Sequence, residues 1–301
     1  MLGHNKEFNN IKVHTQYSIC EGAIKIDELA NYCKINKIKA IGLADSYNLC
    51  GALEFAEKIS KVGTQPIIGT QINIISDNQI GKITLYATSE KGYKNLTKLS
   101  SLSYLKDNKS YDPCCEVDDL ILNNEDLILL TGNYNNFFGK LFYSNKTKHF
   151  EKIIEKLRSS FKDRLYIEIQ RHGESQESHY ENYLFKISSL YVLPLIAGQE
   201  VYYLDSGMAE AHDALICIGK KQFIDDQKRF RYSNQHYLKK SEELKKLYED
   251  IPEALENNYN FPLRCSFRPL YSKPILPDIS TSQDGNASDI IKKDSLEGLK
   301  D

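Results

Sequence analysis

Short runs rich in isoleucine, leucine and valine alternate along this chain with stretches in which apolar residues recur every three or four positions. The first pattern reads as strand and the second as amphipathic helix, so their alternation predicts βα units around a parallel sheet or barrel. Ile11 to Thr15 reads as the first strand. The helix after it, 25–37, places Ile26, Leu29, Ala30, Cys33 and Ile38 at the spacing that makes one apolar face. Ala40 to Asp45 and Gln65 to Ile75 are the next predicted strands, with a helix over 51–62 between them, and Pro66 sits where an opening strand position tolerates it. Further strands are predicted at 82–88, 127–131, 165–170 and 192–201, and helices at 92–105, 149–161 and 178–191. At least six strands in this rhythm favour a barrel over a small open sheet.

The rhythm then changes. Stretches 208–218, 242–249 and 252–258 read as short helices that close one end of the barrel. From Pro269 onward Pro274, Pro277 and the polar run 279–286 read as a linker. Residues 297–301 read as the opening of a further helix, so the chain is expected to continue beyond them.

Composition narrows the function classes. With 301 residues, 41% of them apolar, the chain can bury a full core. Its longest apolar runs, at 126–130 and 193–197, fall far short of the roughly 20 residues a membrane span needs. The polar opening carries no apolar signal region, which predicts a cytoplasmic protein without disulfides. Seven cysteines, at 20, 33, 50, 114, 115, 217 and 265, include no C-x-x-C pair and read as reduced thiols. A net charge of -2 argues against a surface that grips nucleic acid throughout.

In a barrel of this kind the loops after the strands form the functional face. His14, Glu21, Glu54, His172 and Glu200 fall at predicted strand ends or in the loop or first helical turn that follows them. Taken singly, each reads as a hydrogen-bonded structural residue. Together, two imidazoles and three carboxylates on one face suit zinc, manganese or iron. Asp225-Asp226 reads as a solvated turn, and Lys220-Lys221 and 228–231 as exposed basic runs.

The stretches 13–23, 44–55, 66–69, 92–96, 167–173, 209–218 and 248–257 resemble, in order, successive landmarks of the N-terminal polymerase-and-histidinol-phosphatase (PHP) domain of bacterial DNA polymerase III alpha subunits. Gly92-Tyr93-Lys94-Asn95-Leu96 and Asp250-Ile251-Pro252-Glu253-Ala254-Leu255 are the specific ones, since ordinary PHP phosphatases lack them. The resemblance implies an α/β fold: a distorted seven-stranded TIM-like barrel over 5–268, a short helical extension, and a linker over 269–301 toward polymerase domains outside this chain. It also implies a metal site, and here that site departs from the family. His14, Glu54 and His172 match outright, and Glu21 and Glu200 stand where the family has aspartates. Lys12, Ser46, Asn133 and Tyr202 stand where it has histidines or a cysteine.

The resemblance thus implies a vestigial site with no catalytic residue in this chain, holding at most one residual zinc or manganese ion. Magnesium belongs to the parent polymerase, whose palm aspartates lie elsewhere. Lys12 is expected to place its ammonium among Glu21, Glu54 and Glu200. Three functional readings follow. The first is a scaffold that joins the remainder of the alpha subunit, docks the proofreading exonuclease (epsilon) subunit, and meets DNA through the polymerase but no membrane. The second is a metal-dependent phosphoesterase, and the third a free-standing histidinol-phosphatase-like enzyme.

Overall fold

The computed structural model describes residues 6–105, 112–274 and 286–300. Nine strands form one sheet: β1 (Lys12–Val13), β2 (Ala40–Ser46), β3 (Gln65–Ser76), β4 (Gln79–Ala87), β5 (Cys114–Glu116), β6 (Leu127–Leu130), β7 (Leu165–Gln170), β8 (Leu195–Gly198) and β9 (Glu200–Val201). Eight of them follow the order β8-β7-β6-β4-β3-β2-β1-β9, and β5 pairs with β3 off this path. The two ends of the path are consecutive in the chain, separated only by Gln199, so β8 on β7 and β9 on β1 bring the ring round to itself. Counting β8 and β9 as one bent stave gives seven along this path, the number the family resemblance implies.

One direction differs from expectation. β4 runs antiparallel to both β3 and β6, whereas the other staves pair in parallel. The cause is local: Asp77 and Asn78 both take positive φ, 46° and 60°, which makes the two-residue hairpin turn that strand twist favours. No helix intervenes, so the chain doubles straight back. The N-terminal half of β4 therefore lies at the same end of the barrel as the C-terminal ends of its neighbours.

Eleven helices are described: α1 (Ile26–Asn36), α2 (Ala52–Lys61), α3 (Glu90–Leu105), α4 (Val117–Leu122), α5 (Phe137–Tyr143), α6 (Thr147–Phe161), α7 (Glu177–Tyr191), α8 (Ala209–Lys220), α9 (Ser241–Leu247), α10 (Pro252–Asn260) and α11 (Ala287–Gly298). The apolar faces of α1 and α2 bury against β1 to β3, and a larger cluster joins α3 to α7, α9 and α10 to the rest of the ring. A third cluster fills the barrel itself: Ile11, Ala40, Ile67, Ile128, Tyr166 and Ile196 converge near the N-terminal ends of the parallel strands. Phe261 caps it from below, its ring edge-on to Tyr86 at 5.1 Å. The helical extension therefore closes both ends rather than one, since α8 reaches the opposite rim, where His212 Nε2 lies 2.8 Å from the Glu21 carbonyl.

Residues 1–270 form one unit and 271–301 a second. In the second, Asn286 caps α11 by accepting from the Ser288 N–H. The helix expected to open at Glu297 instead runs from Ala287 and ends at Gly298. Pro277 and the run 279–285 lie outside the described residues.

Val192 ends α7 in the left-handed region, φ 51° and ψ 52°, with 80% of its surface exposed. A β-branched side chain there costs about 1–2 kcal/mol, which glycine avoids. Val192→Gly is expected to raise unfolding stability by about 1 kcal/mol, read as a higher urea midpoint at unchanged slope. An unchanged or lower midpoint would show that the exposed Val side chain makes a contact that matters.

Candidate metal-site face of the barrel

β1 delivers Lys12 into the barrel, and β7 delivers Glu168 opposite it. Both side chains are fully buried and their ion pair measures 2.5 Å. Glu168 also accepts from Gln170 Nε2 at 2.8 Å. The ammonium is thus buried in an ion pair, but its partner is Glu168 rather than the expected Glu21, Glu54 or Glu200. The alternation in Leu-Tyr-Ile-Glu-Ile-Gln is the available signal, because it turns Glu168 to the face of β7 opposite Ile167 and Ile169.

Glu200 opens β9 directly above. Its Oε1 accepts from Gln71 Nε2 at 2.6 Å and lies 3.1 Å from His14 Nε2; its Oε2 accepts from Asn133 Nδ2 at 2.9 Å. Burial acts to raise its pKa, but the His14 hydrogen bond and the nearby Lys12 ammonium outweigh it and hold the carboxyl well below its usual range. The other ring nitrogen of His14 is 3.3 Å from Ser18 Oγ, and Tyr202 stacks on the ring at 4.5 Å. Ser18 and Thr15 bind Asp45, whose carboxylate accepts the Thr15 N–H at 2.6 Å and both hydroxyls at 2.7 Å. Asp45 thereby fixes the loop after β1.

His172 is equally committed. Its Nε2 accepts the Glu200 N–H at 3.2 Å, its Nδ1 lies 3.3 Å from Glu177, and its ring stacks on His236 at 4.0 Å. Burial pushes its pKa down to about 3, so the ring is neutral and can accept. Glu54 is set apart on α2, bound by the Tyr17 hydroxyl at 2.6 Å and Lys58 at 2.8 Å. It meets none of the other four candidates.

Glu21 has a partner that sequence reasoning missed. Lys82, from the reversed strand β4, donates to both its oxygens at 2.7 Å and to Ser46 Oγ at 2.9 Å, while Ser46 donates to Glu21 at 2.5 Å. The Tyr47 ring lies 4.9 Å from the same ammonium. Ser46 beside a lysine has the spacing of a serine–lysine nucleophile pair. The chemistry is wrong for one. Burial acts to lower the Lys82 pKa, but the Glu21 carboxylate outweighs it and raises it above the ordinary lysine value, so the ammonium keeps its proton at neutral pH.

The family's divalent ion fits this donor set poorly. Such an ion needs three or more protein lone pairs at bonding distance. Here the lone pairs of Glu21, Glu168 and Glu200 already accept from Lys82, Lys12, Gln71 and Asn133, and two ammonium groups stand among the carboxylates. Among the described residues, no group of three or more His, Cys, Asp or Glu side chains is arranged to hold a metal ion. A cleft of about 450 Å³ remains above the face, lined among others by Glu21, Lys82, Asn133, Glu200, Tyr202 and Tyr232.

Among the described residues, no helix is long and apolar enough to cross a membrane. The model of the PHP domain family matches residues 10–172. The chain is 34% identical to a DNA polymerase III subunit alpha of Caulobacter vibrioides and 36% identical to that of Rickettsia conorii, over 97% of this chain in each case. Those alignments cover 26% and 25% of the relatives, so the chain spans about a quarter of their length. Among solved structures, a two-domain protein of Bacteroides vulgatus, described as containing a predicted PHP-like metal-dependent phosphoesterase, is similar with a TM-score of 0.43 at 10% identity, over 79% of this chain and 62% of that one. With more than half of its residues matched by that family's model, this chain belongs to the PHP domain family.

Proposed function

We propose that this chain is the N-terminal PHP barrel of a replicative DNA polymerase III alpha subunit, a cytoplasmic scaffold without phosphoesterase activity of its own. The observation that carries the reading is the Lys12–Glu168 pair, fully buried beneath Glu200 where the family places a metal-binding histidine. An ammonium there brings positive charge but no lone pair, so it repels a divalent ion instead of binding it. Nucleotide transfer, with its magnesium, belongs to the aspartates of the longer polypeptide. The barrel's part is to pack against those domains and to dock the proofreading exonuclease subunit.

Elemental mass spectrometry of the purified chain, paired with phosphatase and nuclease assays in manganese, tests this. Near-zero metal stoichiometry and no turnover are expected. The competing reading, a metal-dependent phosphoesterase, draws support from the cleft above Glu21 and Glu200. Two or more tightly held ions with turnover would restore it and end the scaffold reading.

A further inference from the structure

The rim of the barrel carries an apolar ridge that folding leaves uncovered. Ile218, Phe223 and Ile224, at and beyond the end of α8, are 70%, 83% and 49% exposed, and Ile19 in the loop after β1 is 81% exposed. Ile19 belongs to the same surface, because its neighbour Cys20 touches α8: a β-carbon added at Gly219 would come within 2.5 Å of the Cys20 Cβ. Exposed apolar residues standing singly need no explanation, but several together mark a contact surface.

The ridge is held in shape from beneath. Arg229, its side chain 1% exposed, forms a two-pronged ion pair with Asp213 on α8 and donates to the Ile224 carbonyl through Nε and Nη2, both at 3.1 Å. Arg231 adds a third donor to that carbonyl at 3.3 Å. The Asp226 N–H closes a turn onto the Phe223 carbonyl at 3.1 Å. A buried guanidinium is thus spent on fixing a loop whose most prominent side chain, Phe223, faces solvent. Fixing a contact residue before binding lowers the entropy lost on association.

Charge identifies the kind of partner. Lys220, Lys221 and Lys228 flank the ridge, and none forms an ion pair with a described residue. Asp225 and Asp226 answer two of these charges, and Arg229 is already matched by Asp213. The loop is therefore locally positive on a chain whose net charge is -2. Three of the four ridge residues are isoleucine, which packs on aliphatic side chains but offers no ring for a base to stack on. The last turn of the barrel unit lies at the opposite end from the ridge, where the Ser266 N–H bonds the Thr88 carbonyl beyond the Phe261 cap.

We propose that the 218–231 segment and Ile19 form a docking surface for an acidic segment of a separate protein, one that buries apolar side chains against Ile218, Phe223 and Ile224. The Phe223 ring is the central anchor and the lysines set orientation and association rate.

The test is a display selection of random short peptides on the intact chain, with Phe223→Asp as counter-target and single-stranded oligothymidylate as a second probe. Phe223 is exposed, so this variant should melt with the parent, which circular dichroism verifies. Enrichment of acidic peptides carrying leucine, isoleucine or phenylalanine is expected. Their affinity should fall at least about tenfold in Phe223→Asp, the loss typical of a central anchor, and fall again as salt rises. Arg229→Ala, which frees the loop but leaves the ridge residues in place, should weaken the same peptides. Enrichment that ignores Phe223, selected peptides that are basic or neutral, or tight oligothymidylate binding abolished by Phe223→Asp would each overturn the proposal.

Discussion

Lys12→Met is expected to cost about 3–5 kcal/mol of unfolding free energy, because it leaves the Glu168 carboxylate buried without its counter-charge. Both members of the pair are 0% exposed, so solvent cannot take over the role of the missing ammonium. A domain of this size is stable by only about 5–15 kcal/mol, so the loss is about a fifth or more of the total. The double variant Lys12→Met/Glu168→Gln separates charge from packing. The amide that replaces the carboxylate keeps an acceptor for Gln170 and carries no charge, so most of the loss should be recovered. Urea unfolding of parent, single and double variants at neutral pH reads this directly. A single-variant loss below about 1 kcal/mol, the level of an exposed pair, would remove the pair from the centre of the argument. So would a double variant no better than the single.

That experiment tests a feature only half legible in the sequence. Lys12 stands out because it replaces a histidine of the resembling family, and a buried charge in a strand predicts a partner. The partner is set by barrel closure. β1 and β7 are not neighbours in the backbone ladder and are linked through β8 and β9, so no local pattern joins residue 12 to residue 168. Lys82 is hidden for a different reason. The rule that functional groups follow the C-terminal ends of strands assumes parallel staves. The Asp77–Asn78 turn reverses β4 and brings the opening residues of that strand to the functional face. Once the reversal is known, a lysine there is a natural partner for Glu21. The helices are easier to read: the faces of α1, α2, α6 and α7 follow a 3.6-residue period that needs no tertiary knowledge. The short elements β5, α4 and α5 have too few residues to show a period, and the pattern of the chain does not reveal them.

Phe261→Ala should be nearly as damaging as the loss of Lys12, about 3–5 kcal/mol, since it empties a large ring from a site with no solvent access. The ring sits edge-on to Tyr86 at 5.1 Å and to Tyr166 at 6.3 Å, closing the barrel where the parallel strands begin. Leu263, two residues on in the same turn, is 82% exposed and supplies the control: Leu263→Ala should change stability by less than about 0.5 kcal/mol. The turn is held in place by Asn258, whose side-chain amide accepts the Asn9 N–H and donates to the Asn9 carbonyl, while Asn9 Nδ2 donates to the Asn258 carbonyl; Asn258 Nδ2 also donates to the Ala197 carbonyl at 3.0 Å. The segment just before β1 and the helix just before the cap are therefore fastened to each other across the bottom of the ring. If Phe261→Ala and Leu263→Ala cost the same, the extension would be an appendage and the barrel would close without it. If they differ as expected, the extension is part of the barrel core, although the family's sequence model ends at residue 172. The remaining staves β8 and β9, the Glu200 they carry and the cap below them are then needed for the ring to hold Lys12 and Glu168 together.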